Sequence, residues 1–360
     1  MRRRDVLIGL SAGFVAALRA PLAIAAEDEL FAAACKLADG SFAAIFYSAE
    51  RGRTHTLPLP GRGHDVAQRP GSPECVAIAR RPGRFAAAFA AGREPVWFAS
   101  APGRHFYGHG AFSSDGRLFF TSENDYENAR GVIGVRDASA GYRQIGEFSS
   151  HGVDPHDVLV TPDGRRLVIA NGGIATHPDS GRAALNASHM EASLVYLDAR
   201  TGDLVEKIVL PPALQKLSIR HLAIAGDRAV FGCQYEGAGE DAPPLVGFHR
   251  LGEEPRLVTA GPAQASLRNY VGSIAADASG DIIAASSPRG GVAAFWDARS
   301  FRFLGARPLE DVCGAAPAHR GFMITSGTGA AERIDARTIA ALATRQDDFA
   351  WDNHLTALTV

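Results

Sequence analysis

Apolar residues along the chain come mostly in short runs with alternating polar neighbours, bounded by Gly, Pro and Asp clusters, which is the pattern of strands joined by tight turns. One unit is plainest from His156. An apolar run His156-Asp157-Val158-Leu159-Val160 meets the turn Thr161-Pro162-Asp163-Gly164-Arg165, and Leu167-Val168-Ile169-Ala170-Asn171 follows. Leu194-Val195-Tyr196-Leu197-Asp198-Ala199-Arg200 and a last strand over 204–210 complete it. The turn after the third strand recurs as Asp137-Ala138-Ser139, Asp198-Ala199-Arg200, Asp297-Ala298-Arg299 and Asp335-Ala336-Arg337. An Asp there holds a tight turn by accepting backbone N–H groups.

First strands are placed at Cys75, His109, His156, His221, Gly272, Cys313 and His354, with His64-Asp65 as an alternative start in place of Cys75 because it repeats His156-Asp157. Seven units over residues 27–360 average about 48 residues, the size of a four-stranded propeller blade. The long step after His156 contains an insertion at about 171–192. The chain ends on one first-type strand, 354–360, and begins with three unpartnered strands, 31–36, 42–48 and 54–59. Together they complete a seventh blade and close the ring, which removes the free sheet edges of an open array. The expected fold is therefore all-β: a single seven-bladed β-propeller over 27–360. Two β-sandwiches, the rival, leave the orphan strands unexplained.

Residues 1–26 are set apart. Arg2-Arg3-Arg4, an apolar stretch from Val6 to Leu18 and Ala23-Ile24-Ala25 have the layout of a signal peptide. Arg3-Arg4-Asp5-Val6-Leu7 resembles the twin-arginine export motif, although a plain secretory signal also tolerates arginines. A periplasmic location in a bacterium and no membrane span in the mature chain are expected. Four cysteines, Cys35, Cys75, Cys233 and Cys313, lie too far apart in sequence to assign pairing.

Composition narrows function mainly by exclusion. Lys+Arg number 37 against 39 Asp+Glu, a formal charge of −2, so a nucleic-acid binder built on a broad basic surface is not expected. Gly-x-Ser-x-Gly and His-Glu-x-x-His are absent, and Gly237-Ala238-Gly239 and Gly327-Thr328-Gly329 lack a strand-to-helix context for nucleotides. The first-strand starts carry the chemistry. Their Cys and His residues would converge from distant segments on one mouth of the central channel, and imidazole with thiolate suits Zn, Cu or Fe. The candidate metal ring is His109, His156, His221, His354 and Cys313. The bland alternative makes these histidines structural donors to turn aspartates and the cysteine a small core residue. Channel-mouth loops add Glu123, Asp125 and Tyr126, then Asp154, and from the insertion His177 and Met190, as a polar lid or as a solvated surface.

Thr161 to Asn171 resembles the repeat of YVTN/lactonase-like and WD40-like propellers, and Trp296-Asp297 sits where the WD40 dipeptide would. The whole chain also resembles an uncharacterised family of exported bacterial propellers, through its arginine-rich start, His156-Asp157 before the Pro-Asp-Gly turn, Asn171-Gly172-Gly173-Ile174 and Leu194 to Asp198. Genes of that family resemble neighbours of imelysin-type periplasmic proteins linked to iron uptake. The resemblance implies a metal- or haem-binding or accessory role in iron or metal uptake, with periplasmic iron-uptake proteins as partners. Exported copper enzymes with a propeller and an axial histidine cluster offer an analogy of geometry. A lactonase-like or metal-dependent oxidoreductase, or a protein-interaction scaffold without chemistry, are the other expectations. A monomer is expected.

Overall fold

In the computed structural model, residues 28–181 and 183–359 are described. Seven antiparallel sheets stand in a ring, each running from an inner first strand to an outer fourth. The inner strands are Gly63–Gln68, Arg104–Phe112, Pro155–Val160, Leu217–Ala225, Ser273–Ala276 and Val312–Ala318. The seventh is broken into Ala350–Trp351 and Thr356–Ala357. Each inner strand touches the next around the channel, and the broken one contacts both Val312–Ala318 and Gly63–Gln68. The seven-bladed propeller is the fold.

Closure follows the expected route. Cys35 pairs with Trp351 and Phe31 with Ala357, so Leu30–Lys36 becomes the second strand of the last blade. Phe42–Ser48 and Gly52–Leu59 complete it. The clasp is reinforced across the seam: Thr356 Oγ1 donates to the Val66 carbonyl at 2.5 Å, and Gln68 Nε2 to that of Thr359 at 2.7 Å.

Strands in the middle of a blade are covered on both faces by neighbouring blades. They therefore read as continuous apolar runs rather than alternating ones. Cys75–Ala79 is buried at every position, as is Leu167 to Asn171. The core is correspondingly a set of wedges between blades. One joins Cys75, Ala77 and Phe89 to Ala32, Ala44 and Phe46, and another joins Phe120 and Ile133 to Val158 and Ile169. Outer strands face water, and Arg143–Ser149 is mostly exposed.

The recurring Asp-Ala turns do what their chemistry predicts. Asp198 Oδ1 accepts from the amides of Arg200 and Thr201, both at 2.9 Å, and Asp297 and Asp335 repeat the pattern. Asp137 accepts from Ser139 N at 2.9 Å. These amide contacts hold the Asp198, Asp297 and Asp335 carboxyls below the ordinary range, led in each case by a backbone hydrogen bond.

Three strand starts need correction. Blade one begins at Gly63–Gln68, so His64 lies on the first strand and Cys75 opens the second. First strands also begin earlier than their histidines: Arg104 precedes His109 and Leu217 precedes His221. The histidines therefore sit inside the channel and not at its mouth. The segment read as an export signal lies outside the described residues. Among the described residues no helix is long and apolar enough to cross a membrane.

Candidate metal centre

A first strand with unbroken pairing would alternate its side chains between the two sheet faces. Nearly every first strand here breaks register at the same depth. The irregularities fall between Gly63 and Val66, Phe106 and Gly110, Pro155 and Asp157, Ile219 and His221, and Val312 and Ala315. The seventh is interrupted between Trp351 and Thr356. A bulge re-aims a side chain, and these bulges carry His64, His109, His156, the Arg220-His221 pair and, in the interruption, His354.

The result is a cluster of five imidazoles, each no more than 8% exposed. His109 is its centre. Its ring lies 4.5 Å from His354, 4.9 Å from His64, 5.2 Å from His156 and 5.8 Å from His221, centroid to centroid. His64 and His354 are 4.6 Å apart, and His221 is 4.9 Å from His354 and 5.0 Å from His156. Among the described residues, two sets of three hold ligand atoms within 4.8 Å of one another: His64, His109 and His354, and His109, His156 and His221.

Hydrogen-bond partners separate the two sets. His109 Nδ1 lies 3.2 Å from Asp65 Oδ2 and 3.4 Å from Asp157 Oδ1. Nδ1–H therefore points at carboxylates and leaves the Nε2 lone pair free. His64 Nδ1 faces Asp352 Oδ1 at 3.5 Å, and His354 Nδ1 faces Ser273 Oγ at 3.5 Å. Carboxylates behind imidazoles are the usual outer shell of metal-ligating histidines, fixing tautomer and ring orientation. The Nε2 atoms of His109 and His354 are buried without a hydrogen-bond partner, as are both ring nitrogens of His64 and of His221, so Asp352 faces His64 without bonding it. His156 differs. Its Nδ1 lies 3.2 Å from Arg220 Nη1, a group that can only donate. Neutral His156 must then carry its proton on Nε2, where it cannot ligate.

Ligation requires neutral imidazoles, and four of the five rings are held neutral, while an ion would have to displace the proton that the fifth, His109, is disposed to keep. Burial holds His64, His156 and His221 well below the ordinary histidine range, helped by neighbouring rings and, for His156, by Arg220. Burial takes His354 to about 3. His109 alone is raised: burial pushes it down, but Asp157 and the hydrogen-bonded Asp65 outweigh that. The same bond, set against burial, draws Asp65 down to about 2. The hub is thus His109, paired with Asp65 and Asp157, among four imidazoles that burial keeps neutral, with Asp352 3.5 Å from His64.

An ion equidistant from three nitrogens at most 4.8 Å apart would stand about 2.8 Å from each. Metal–imidazole bonds of about 2.0–2.1 Å then need inward shifts of about 0.7 Å or less. His64, His109 and His354, with His221 beside them, fit a Zn, Cu or Fe ion with nitrogen ligands.

The remaining sequence candidates scatter. Cys313 leaves the ring: its Sγ donates to the Thr325 carbonyl at 3.5 Å and is packed with Phe31 and Trp351 between blades. Burial raises its thiol to about 12, away from the thiolate a metal needs. Glu123 is a buried strand residue bound to Arg136 Nη2 at 2.8 Å, and Asp125 pairs with Arg130 at 2.7 Å. Both are structural and not part of a lid. Met190 is buried in the insertion. Tyr126 and His177 do meet at the surface, their rings 5.1 Å apart. Asp154 is buried and bridges Arg220 at 2.7 Å. The bland reading of the histidines is not what is seen: the turn aspartates bond their own backbone, and of the five imidazoles only His109 bonds an aspartate, Asp65 of a neighbouring first strand.

Gly108 carries a separate constraint. Its φ of +115° is a glycine conformation, and a Cβ there would lie 2.4 Å from His64 Cδ2. Gly108→Ala is expected to displace the His64 ring and cost about 1–3 kcal/mol in chemical denaturation. Gly92→Ala is the control, since Gly92 also has positive φ but nothing within 4 Å. Its loss should be clearly smaller. Equal losses would show that the imidazole does not depend on Gly108.

The fold is similar to that of hydrazine synthase from Kuenenia stuttgartiensis, at 12% identity and a TM-score of 0.59 over 87% of this chain and 94% of that one. At that identity the likeness speaks for the fold alone. No curated protein matches the sequence. The profile of a family described as "Protein of unknown function (DUF1513)" matches residues 57–358.

Proposed function

We propose that this chain, which belongs to the DUF1513 family of proteins of unknown function, is a metal-binding propeller that holds one transition-metal ion at its hub. The carrying observation is the set of buried Nε2 atoms of His64, His109 and His354, without hydrogen-bond partners and backed by Asp65, Asp157, Asp352 and Ser273. An unsatisfied buried polar atom costs about 1–3 kcal/mol. Several facing one another is a costly arrangement that coordination to one ion relieves. His221 stands beside this set, its ring 4.9 Å from His354, without joining its three converging nitrogens, and Cys313 has no part in it.

The arginine-rich start and small-residue pattern of residues 1–26 support export to the periplasm, and the twin-arginine resemblance supports export after the ion has been inserted. An accessory role in periplasmic iron or metal uptake, beside imelysin-type proteins, accords with these features. A second reading, a metal-dependent enzyme, draws on one observation. A cavity of about 450 Å³ reaches His109, His221 and His354 from the side toward which the first strands run, so a bound ion would be reachable by a small substrate.

Metal analysis of protein exported in its native host tests the proposal. About one equivalent of Fe, Cu or Zn is expected, with a melting temperature that falls on chelation and recovers on readdition. Protein that leaves the cell metal-free, and whose melting ignores both chelators and added metals, would overturn it.

A further inference from the structure

The hub has two unlike sides. The wide cavity is walled by Asp65 and Asp157 together with small residues such as Ala223, Ala275 and Ala315. The opposite side is a chamber of about 50 Å³ against His64, His156 and His221, walled by Arg80, Arg81, Arg220 and Tyr107. One side is therefore acidic and open, the other basic and more enclosed.

We propose that the basic chamber binds a small inorganic anion directly against the imidazole hub. Three guanidinium groups line it. Of these, the charge balance rests on Arg81 and Arg220, whose nearest carboxylate is Asp154, 2.7 Å from Arg220 and 3.9 Å from Arg81, with Glu236 adding only a more remote negative field. Donors stand ready: Arg220 Nε and Arg81 Nη1 are buried without a hydrogen-bond partner, and the buried Tyr107 hydroxyl, beside Thr176, keeps its own proton to donate. Tyr107 is 1% exposed and Arg220 2%. Buried guanidinium and phenol donors ordinarily find acceptors. A single anion supplies acceptor lone pairs and offsets the excess positive charge, where a water supplies only the former. His156 adds to the donor set, since Arg220 at its Nδ1 leaves a proton on Nε2.

Size sets the class. A cavity needs about 10–15 Å³ of this kind of volume to hold one water, so about 50 Å³ accommodates roughly three or four heavy atoms. That fits azide, nitrite, nitrate or bicarbonate and excludes nucleotides, citrate and sugar phosphates. The inference rests on the guanidinium groups and the phenol, and does not require the metal.

The test uses the whole exported protein, metal-free and metal-loaded, with sodium azide and sodium nitrite as probes and bromide for anomalous scattering in crystals. Metal-free wild type is expected to show saturable thermal stabilisation by azide or nitrite, and one ordered bromide in the chamber. Arg81→Gln should weaken binding at least tenfold and Tyr107→Phe several-fold. Arg81 is partly exposed, and both variants keep the Arg220–Asp154 pair. A non-saturable response shared by wild type and Arg81→Gln, or a chamber without bromide, would overturn the inference. Metal uptake with no anion uptake refutes the chamber and leaves the metal reading standing. Anion uptake by protein that takes no metal refutes the metal reading and leaves the chamber standing.

Discussion

A His109→Ala protein should lose its metal, while His156→Ala should keep it within a few-fold of wild-type affinity. The asymmetry is the informative part, because both residues are buried on first strands with rings 5.2 Å apart. His109 belongs to both sets of converging nitrogens, and two carboxylates hold its Nδ1–H, so its Nε2 is the lone pair on which the others centre. His156 has its Nδ1 occupied by a guanidinium donor, and its remaining proton stands where a metal bond would form. Losing an outer-shell carboxylate typically costs about 10–100-fold in metal affinity. Asp65→Asn should fall in that range and His109→Ala beyond it. Competition with a chromophoric chelator, using refolding-checked protein, measures all three. Folding should survive the His109 change, because Asp157 still accepts from the amides of Val158 and Leu222, at 2.7 and 2.8 Å, and Asp65 from Val66. Equal losses for His109→Ala and His156→Ala would mean that the ion, if any, sits in the other set of three.

The ring was legible in the chain because its evidence is repeated: Pro-Asp-Gly and Asp-Ala turns at blade spacing, and orphan strands at both ends that pair as expected. The reading failed where apolar strength stood in for strand position. Cys75–Ala79 is the more apolar candidate for a first strand because it is a second strand, sandwiched by blades on both faces. The true first strand, Gly63–Gln68, faces a polar channel and carries His, Asp and Gln. The His64-Asp65 pair, matching His156-Asp157, was the available signal. Cys313 shows the opposite limit. It lies at the level of the bulges, yet its thiol turns into the wedge beside Trp351. Alternation cannot say which way a bulged residue points, since the bulge is where alternation stops. Asp352, two residues before His354, and Arg220, just before His221, were passed over. Their roles depend on partners in other blades.

Arg220→Met is expected to be the most destabilising single change at the hub, by about 3–5 kcal/mol in chemical denaturation, the typical cost of breaking a buried ion pair from one side. Arg220 Nη1 stands 2.7 Å from Asp154 Oδ2, and both side chains are at most 2% exposed. Without it, Asp154 keeps Arg81 at 3.9 Å and the backbone amide of Ile174. A Cβ at Gly172 would lie 2.4 Å from Asp154 Oδ2, so a larger residue there would crowd this carboxylate. A buried ion pair is weak evidence of net stability, since replacing both partners with apolar groups is often neutral. The double change Arg220→Met with Asp154→Leu should therefore recover most of the loss. The double variant has a second expected consequence. With its Nδ1 partner gone, His156 is free to shift its proton to Nδ1 and expose Nε2 to the hub. His156→Ala, nearly silent for metal affinity in the wild type, should then weaken it measurably in the double variant. Recovery of stability without that new dependence would show that Arg220 serves only to neutralise Asp154. A full loss that the second substitution does not repair would show that the pair is needed for packing and not for charge.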